Sequence, residues 1–338
     1  MSESGVADAD AAARRVREMY ARFPYPSQDT GEQRLTELAN LLLLFSRETP
    51  YEFRGKRVLD VGTGTGHRLI TAAQRFPETQ FVAVDVCAPP LEIARATAHA
   101  AGVGNVEFRQ YDLLDGATDL GRFDVVLCMG VLHHLADPAL GLRQLARHLA
   151  PDGVLFLYLY GERGARERMR RKEILSLLLA GANGGDRFGA GIALAKALGF
   201  DALEFGWHRN ADDVRSRDAL IVDSYLNAQE TLFDMNSILD FMRPSGPWEV
   251  MAYGLTCGSR GYLFDTALGP PLLTRTEPAR HLPSAELAAA YERLELQQKY
   301  RLIELWYEPN GYTLLAYKNG GTRWFSRDGR VRRNSLSV

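Results

Sequence analysis

A glycine-rich loop with one acidic neighbour is the first feature of the sequence that could do chemistry. Asp60, Gly62, Gly64 and Gly66 follow an apolar, strand-like stretch. Three glycines at this spacing let a backbone approach a ligand closely where a strand gives way to a helix. The loop departs from the Gly-x-Gly-x-x-Gly spacing of dinucleotide-binding loops, because His67 stands at the sixth position. It also lacks the Gly-Lys-Ser/Thr ending of a phosphate-binding loop, so a phosphate ligand is disfavoured.

Two further carboxylates follow later strand-like stretches. Asp60 suits a positively charged group such as an ammonium and would repel a pyrophosphate. Asp85 ends the second strand, where a carboxylate can accept both hydroxyls of a ribose. Asp112, followed by Leu113, comes after the third strand, where it could accept a hydrogen bond from the exocyclic amine of adenine. An ammonium, a ribose and an adenine together describe S-adenosylmethionine.

The elements that must position these residues alternate between strand and helix, which indicates a parallel sheet covered on both faces. The runs at 123–128 and 154–160 lack two-residue alternation, as is typical of central strands buried on both faces. The pattern predicts an α/β fold with a doubly wound, mostly parallel seven-stranded sheet. The predicted strands are residues 58–61, 81–84, 106–109, 123–128 and 154–160, with 248–253 and 312–318 as late antiparallel additions.

The rest of the chain is expected to flank this core. A helix is predicted over 13–22 after a disordered lead of about twelve residues. Helical periodicity is favoured over 284–307, although 301–307 could instead form a strand. The predicted segments are 1–50 as a helical N-terminal cover, 51–160 as the core, 161–245 as a helical lid, 246–320 as C-terminal strands with an inserted helix, and 321–338 as a basic tail.

Five ordered motifs within residues 56–160 resemble the class I S-adenosylmethionine-dependent methyltransferases, which have a Rossmann-like fold. They are LDVGTGTG, FVAVD, QYDLL, FDVVLCMGVLHHLADP and LAPDGVLFLYLY. More loosely, MYARFPYPS, DSYLNAQETLFDMNSILDFM and QQKYRLIELWYEPNGYTLLAYK are similar to bacterial members with an N-terminal Tyr-Pro element and a C-terminal extension. The resemblance fixes the donor chemistry and leaves the acceptor open.

The resemblance implies a role for each cofactor-side residue, with S-adenosyl-L-homocysteine as the product. It implies Asp60 near the methionine amine, Gly62, Gly64 and Gly66 beneath the cofactor, Asp85 on the ribose, Asp112 and Leu113 at the adenine, and Met129 and Gly130 at the methionine end.

The catalytic candidates are His133, His134 and Tyr160. Either histidine could act as a general base beside the donor methyl, or the pair could be structural at a helix start. Tyr160 ends the fifth strand, at the edge where ligands bind in open α/β sheets. Four further residues are candidates for acceptor binding, although aromatic residues near prolines often only pack: Tyr20, Tyr25, Arg209 and Tyr225. The basic run at 163–172 is either a solvated helix face or a receptor for an anionic acceptor.

Composition excludes several classes of protein. The net charge of −2 and the pI near 6.4 give no global basic field, so nucleic-acid binding is disfavoured. Cys87, Cys128 and Cys257 are far apart, which predicts free thiols, no metal site and no covalent catalysis by cysteine. The polar start lacks a secretory pattern and the apolar runs are too short to cross a bilayer, so we expect a cytoplasmic protein without a membrane partner.

The sequence therefore predicts methyl transfer to an oxygen or nitrogen atom of a small specialised metabolite or a peptide. Catalysis is expected to come mainly from positioning, worth roughly 7–11 kcal/mol, more than the roughly 3–5 kcal/mol of a general base. Two alternatives stay open: an RNA methyltransferase, and a non-catalytic binding module with the same fold.

Overall fold

The computed structural model describes residues 3–25, 32–115, 118–180, 186–200, 214–257, 282–318 and 336–338. Within them, eight strands form one sheet. The strands are β1 (Arg57–Val61), β2 (Gln80–Asp85), β3 (Val106–Gln110), β4 (Phe123–Met129), β5 (Leu149–Tyr160), β6 (Trp248–Thr256), β7 (Gly311–Lys318) and β8 (Leu336–Ser337). Their spatial order is β3-β2-β1-β4-β5-β7-β6-β8.

Strands β1 to β5 pair in parallel, whereas β7 lies antiparallel between β5 and β6. The order reverses at β1, where β2 and β3 extend to one side and β4 and β5 to the other. Ligands bind at such a reversal, outside the carboxyl ends of the strands. The predicted doubly wound, mostly parallel α/β sheet is confirmed.

The prediction of seven strands was one strand short. Leu336 pairs with Val250 of β6, and the backbones of Val338 and Trp248 exchange two hydrogen bonds of 2.9 and 3.0 Å. The segment predicted as a basic tail therefore ends in a strand of the sheet. Without β8, β6 would expose unpaired backbone groups at this edge of the sheet. A strand of two residues is too short to show periodicity in the sequence.

Helices cover both faces of the sheet. The first begins at Glu3, so the disordered lead predicted before residue 13 is replaced by helix, as the alanine-rich composition favours. The α-helices are α1 (Glu3–Arg22), α2 (Glu32–Glu48), α3 (His67–Arg75), α4 (Ala88–Ala100), α5 (Pro138–His148), α6 (Arg166–Leu179), α7 (Arg187–Ala197), α8 (Val214–Ile221), α9 (Met235–Met242), α10 (Ala285–Glu292) and α11 (Leu296–Tyr307).

Three hydrophobic clusters hold the described residues together. On one face of the sheet, α2 and α3 pack through buried side chains such as Leu42, Phe45 and Leu69. On the other face, α5, α9 and α11 cover the strands. The third cluster joins Met19 of α1 to Leu175 of α6 and to residues of α7 and α8. The N-terminal helix therefore shares a core with the segment after β5, and the predicted division of the chain into cover and lid stays a prediction.

Candidate active site

The loop between β1 and α3 is built from left-handed glycines. Gly62, Gly64 and Gly66 have φ values of 73°, 57° and 72°, a region that side chains disfavour. A Cβ at Gly62 would lie 2.2 Å from Cγ2 of Val131, and one at Gly66 would lie 2.8 Å from Cβ of Ala94. Side chains are thus excluded at both ends of the loop, so its backbone can approach a ligand.

Asp85 anchors this loop from the end of β2. Its Oδ2 accepts a hydrogen bond from the amide of Gly64 at 2.9 Å, and its Oδ1 accepts from the amide of Cys87 at 2.9 Å. Burial raises the pKa of Asp85, although these amides oppose that rise. A carboxylate oxygen can accept more than one hydrogen bond. Asp85 therefore shapes the loop and retains acceptor capacity for hydroxyl groups.

Asp60 lies in β1, two residues before Gly62, and is only 6% exposed. Burial raises its pKa to about 6, while the Thr63 hydroxyl and Arg68 lower it and Asp85 raises it further. A cationic group bound beside it would favour the charged carboxylate. Asp60 can therefore attract a positively charged ligand electrostatically, and a neutral ligand would lack this attraction.

Asp112 follows β3 and is bridged to the N-terminal helix. Its Oδ2 accepts from Nη1 of Arg17 at 3.1 Å, and its Oδ1 accepts from the amide of Leu114 at 2.9 Å. Leu113 is buried in the cluster that contains β4 and α5. The ion pair places α1 over this end of the loop cluster, and Arg17 carried no signal in the sequence.

The end of β4 borders open space. Gly130 has a φ of 89°, and a Cβ built on it would meet no atom within 4 Å. Its amide donates to the carbonyl of Tyr158 at 3.2 Å, while Met129 is half-buried against the neighbouring core. Four neighbouring strand ends, those of β1, β2, β3 and β4, therefore present the predicted cofactor residues at one edge of the sheet.

The two histidines stand in a 3₁₀-helix directly after β4, Leu132–His134. The ring of His133 stacks on Tyr160, with centroids 3.8 Å apart and planes 25° apart. Within the described residues, neither ring nitrogen of His133 has a hydrogen-bond partner. Burial, together with His134 and Arg168, holds the pKa of His133 well below its usual value. At neutral pH His133 is therefore an uncharged imidazole.

His134 is held by the segment that precedes α9. Its Nδ1 lies 3.0 Å from the carbonyl oxygen of Gln229 and 3.0 Å from Nδ2 of Asn227. Burial lowers its pKa, although Asp223 and the Gln229 carbonyl raise it. Its contacts are those of a fixed structural group more than those of a mobile base.

Asp223 joins two of the predicted site residues, Tyr20 and Tyr160. Oδ1 of Asp223 accepts from the hydroxyl of Tyr20 at 2.7 Å, and Oδ2 accepts from that of Tyr160 at 3.2 Å. Burial first, and then the charge of Asp223, raise both tyrosine pKa values well above the usual value. Asp223 lies in a π-helix, Val222–Leu226, a conformation frequent at functional sites.

A buried ion-pair cluster lies behind Tyr160. The carboxylate of Glu230, whose side chain is 3% exposed, lies 2.7 Å from Arg168 and 2.5 Å from Lys172. Burial raises the pKa of Glu230, but the two cations outweigh it and the pKa is lowered. Arg168 also stacks over the ring of Tyr160 at 5.1 Å. Two cations of the basic run at 163–172 therefore pair with a buried carboxylate.

The remaining acceptor candidates are placed differently. Tyr25 is half-buried. Tyr225 is buried in the cluster of α6, α7 and α8, and donates to the carbonyl of Phe200 at 3.2 Å. It therefore packs as a core residue. Arg209 lies outside the described residues.

Comparisons with known proteins identify the fold. Residues 58–153 match the family model described as a methyltransferase domain. The chain contains a class I S-adenosylmethionine-dependent methyltransferase domain. This methyltransferase domain uses S-adenosylmethionine as its cofactor.

Two relatives of the methyltransferase domain illustrate the extent of the similarity. An uncharacterized protein of Synechococcus sp. is 31% identical over 256 residues, 74% of this chain and 57% of that protein. A ubiquinone biosynthesis O-methyltransferase of Actinobacillus pleuropneumoniae is 36% identical over 107 residues, 30% of this chain and 44% of that protein. The chain spans about half the length of the curated relatives it matches.

The fold of the methyltransferase domain also matches a solved structure, PKMT2 from Rickettsia typhi in complex with AdoHcy. The TM-score is 0.54 at 17% sequence identity, and the match covers 85% of this chain and 54% of that one. At this identity the likeness concerns the fold.

The methyltransferase domain fits S-adenosylmethionine on structural grounds as well. The loop excludes side chains at Gly62 and Gly66, Gly130 borders open space, and Asp60 is a buried anion at the same edge. These are the surroundings that a sulfonium compound with an ammonium group requires. The fit is thus carried by the backbone and by one buried charge.

Three further findings on the methyltransferase domain and its flanking segments concern the cysteines, groups that could bind a metal, and the helices. Cys87, Cys128 and Cys257 are buried, and burial raises the pKa of Cys87 to about 12, so its thiol is a weak nucleophile. The described residues contain no group of three or more His, Cys, Asp or Glu placed to bind a metal. Among the described helices, none has the length and apolar character to cross a membrane.

Proposed function

We propose that this protein transfers the methyl group of S-adenosylmethionine to an oxygen or nitrogen atom of a small specialised metabolite or a peptide. The observation that carries the proposal is the glycine loop held by Asp85 beside the buried Asp60. It combines the backbone approach and the negative charge that this donor needs. When bound, S-adenosylmethionine supplies an electrophilic methyl carbon on a positively charged sulfur.

The acceptor side supports a compact substrate group. Tyr20, His133 and Tyr160 bring three aromatic rings together next to the end of β4, and Asp223 fixes two of them. Rings held in this way form rigid, largely apolar walls, which suit a small molecule or one side chain of a peptide. The net charge of −2 agrees with such an acceptor better than with RNA.

The chemistry requires little beyond positioning and exclusion of water. The lone pair of the acceptor forms the new C–O or C–N bond as the C–S bond breaks, and the acceptor loses its proton. His133 is uncharged at neutral pH, so a ring nitrogen can receive that proton directly or through water. Its lowered pKa makes it a weak base, so alignment is expected to dominate the rate.

Oxygen acceptors are the first choice for a substrate screen. The relative from Actinobacillus pleuropneumoniae is named an O-methyltransferase of ubiquinone biosynthesis, although the match is confined to 30% of this chain. Phenols and carboxylic acids should therefore be tested before amines. A gain of one methyl group in the product, measured by mass spectrometry, identifies a true acceptor.

Donor binding is the first experiment. Calorimetric titration with S-adenosylmethionine should give saturable binding, and titration with NAD should give none. Asp85→Asn should weaken donor binding at least about tenfold, because it alters the acceptor group of the loop. Asp240→Asn, an exposed site on α9, is the matched control and should bind as the parent protein does. Absence of donor binding by the parent protein would refute the proposal.

A further inference from the structure

A basic depression lies on the opposite edge of the sheet from the donor loop. It is lined by four cationic side chains, Arg122, Arg143, Arg147 and Lys318, together with Pro244 and Ser245, and has a volume of about 270 Å³. Arg122 directly precedes β4, whereas Gly130 directly follows it. The length of that strand separates the depression from the donor site by roughly 20 Å. The basic depression is therefore not part of the site described above.

The four cations of the basic depression have no carboxylate partner in the described part of the chain. Ion pairs occupy cations elsewhere, such as Arg168, Lys172 and Lys196, but none involves these four. Like charges gathered around one concavity repel each other. A counter-charge from outside the described residues would relieve that repulsion.

Backbone carbonyls position two of these cations without neutralising them. Arg122 donates to the carbonyl of Leu149 at 2.8 Å, and Nζ of Lys318 donates to that of Ala146 at 3.4 Å. These hydrogen bonds hold both side chains at the rim of the depression. A carbonyl carries no net charge, so both side chains keep their positive charge. The site is thus partly preorganised for an anion, which lowers the entropy that binding would cost.

Helix stabilisation explains only part of the cluster. Arg147 lies in the last turn of α5, where a cation interacts favourably with the helix dipole, and it also donates to Gln144 at 2.9 Å. Arg143 lies one turn earlier, where the dipole effect has faded. Arg143 is exposed, and no hydrogen bond or ion pair connects it to another residue in the described part of the chain.

The chain that follows Lys318 does not supply the missing negative charge by composition. Residues 319–335 contain five arginines and a single aspartate. These residues therefore add more positive than negative charge, and the modest volume of the depression favours a small anionic ligand.

We propose that the basic depression binds a compact polyanion, a small molecule that carries two or more phosphate or carboxylate groups. Guanidinium groups bind both kinds of oxyanion through paired, charge-assisted hydrogen bonds. A global attraction for nucleic acid is not implied, because the chain as a whole carries a net charge of −2. The site would let a metabolite bind at the edge opposite the donor loop.

The test uses tripolyphosphate and citrate as probes in calorimetric titrations of the full chain at low and at physiological salt. Saturable one-to-one binding of either probe, weakened by salt, is expected. Tighter binding of tripolyphosphate assigns the site to phosphates, and tighter binding of citrate assigns it to carboxylates. Binding of neither probe at low salt would overturn the proposal, as would much tighter binding of an oligoglutamate peptide, which would indicate an acidic protein as partner.

A pair of variants with equal net charge locates the binding. The double variant Arg143→Gln and Arg147→Gln should weaken the better probe at least about tenfold. The control Arg166→Gln and Arg170→Gln removes two exposed charges from α6 and should leave the probe affinity unchanged. Equal weakening in both doubles would mean that net charge alone is responsible and would refute the site. Unchanged donor affinity in both doubles shows that the fold is intact.

Discussion

The proposed donor side consists of Asp60, the glycine loop and Asp85, and the proposed acceptor side consists of Tyr20, Tyr160 and Asp223. The two sides are built in different ways. The donor side consists of backbone atoms and short carboxylates. Its key contact joins Gly64 to Asp85, 21 positions apart in the sequence. On the acceptor side, long aromatic and charged side chains meet, and Tyr20 reaches Asp223 across 203 positions. One side is local in sequence and the other is assembled only by the complete fold.

Because the two sides are built differently, substitutions on each side should change different measurable properties of the protein. Loss of a donor-side residue should change cofactor affinity, because the loop is the proposed binding surface. Loss of an acceptor-side residue should change stability or turnover, because its neighbours are buried polar groups that depend on one another. Cofactor affinity and the free energy of unfolding are therefore the two quantities that tell the two sides apart.

The largest effect is expected at Glu230. Glu230→Gln leaves Arg168 and Lys172 without their buried carboxylate, which should lower the free energy of unfolding by about 3–5 kcal/mol. Glu107→Gln, in an exposed pair with Arg109, should change it by less than about 1 kcal/mol. Urea unfolding measures both, and a small effect at Glu230 would mean that this cluster is well solvated.

The sign of the pH effect follows from the lowered pKa of Glu230. A depressed carboxyl pKa stabilises the folded state above the unfolded pKa, near 4.5, and this stabilisation is lost as pH falls through the folded value. The Glu230→Gln variant should therefore lose less stability than the parent protein on acidification below pH 4.5. Identical acid profiles would show that Glu230 does not titrate between the two states.

The second effect concerns the loop. Gly62→Ala should weaken binding of S-adenosylmethionine about a hundredfold, because the new Cβ would lie 2.2 Å from Val131 in a loop with a φ of 73°. Gly102→Ala is a matched control with a φ of 65° and no atom within 4 Å of the new Cβ. It has the same backbone strain without the clash, so its donor affinity should be unchanged. Equal affinities in the two variants would assign the loop a purely structural role.

The contrast explains how much of the molecule could be predicted. The parallel sheet and the loop residues were predictable because Asp60, Gly62 and Asp85 follow apolar strands within a short stretch of sequence. The pairing of Tyr160 with Asp223 was not, because the π-helix that aims Asp223 has no sequence signature. Arg17 likewise gained its role only when α1 packed over α4 and met Asp112.

Misjudged segments have the same physical origin. The lead before residue 13 is polar enough to suggest disorder, but its alanines favour helix and α1 continues through it to Glu3. Leu336 pairs with β6 because a long-range edge was available, which no local pattern reveals. Local sequence patterns therefore predicted the parallel sheet, whereas the eighth strand depends on a tertiary contact.

A third and smaller effect is expected at Asp223. Asp223→Asn removes a charged acceptor shared by Tyr20 and Tyr160, and should lower the free energy of unfolding by about 1–3 kcal/mol. Donor affinity should stay within about twofold, since no donor-side residue contacts this carboxylate in the described part of the chain. Thermal unfolding and donor titration of one sample measure both. A fall in donor affinity without loss of stability would assign Asp223 to the donor side and would contradict the proposed division of the site into two sides.

The smallest effect is the pH dependence of donor binding at Asp60, whose pKa burial raises to about 6. Only the ionised carboxylate attracts a cationic ligand, so affinity should fall about tenfold from pH 7 to pH 5 as Asp60 takes up a proton. Asp60→Asn has nearly the same shape and cannot ionise, so its donor affinity should be lower at pH 7 and level over this range. A parallel decline in both proteins would assign the titration to another group, and Asp85, whose pKa is also raised by burial, would then be the residue to replace.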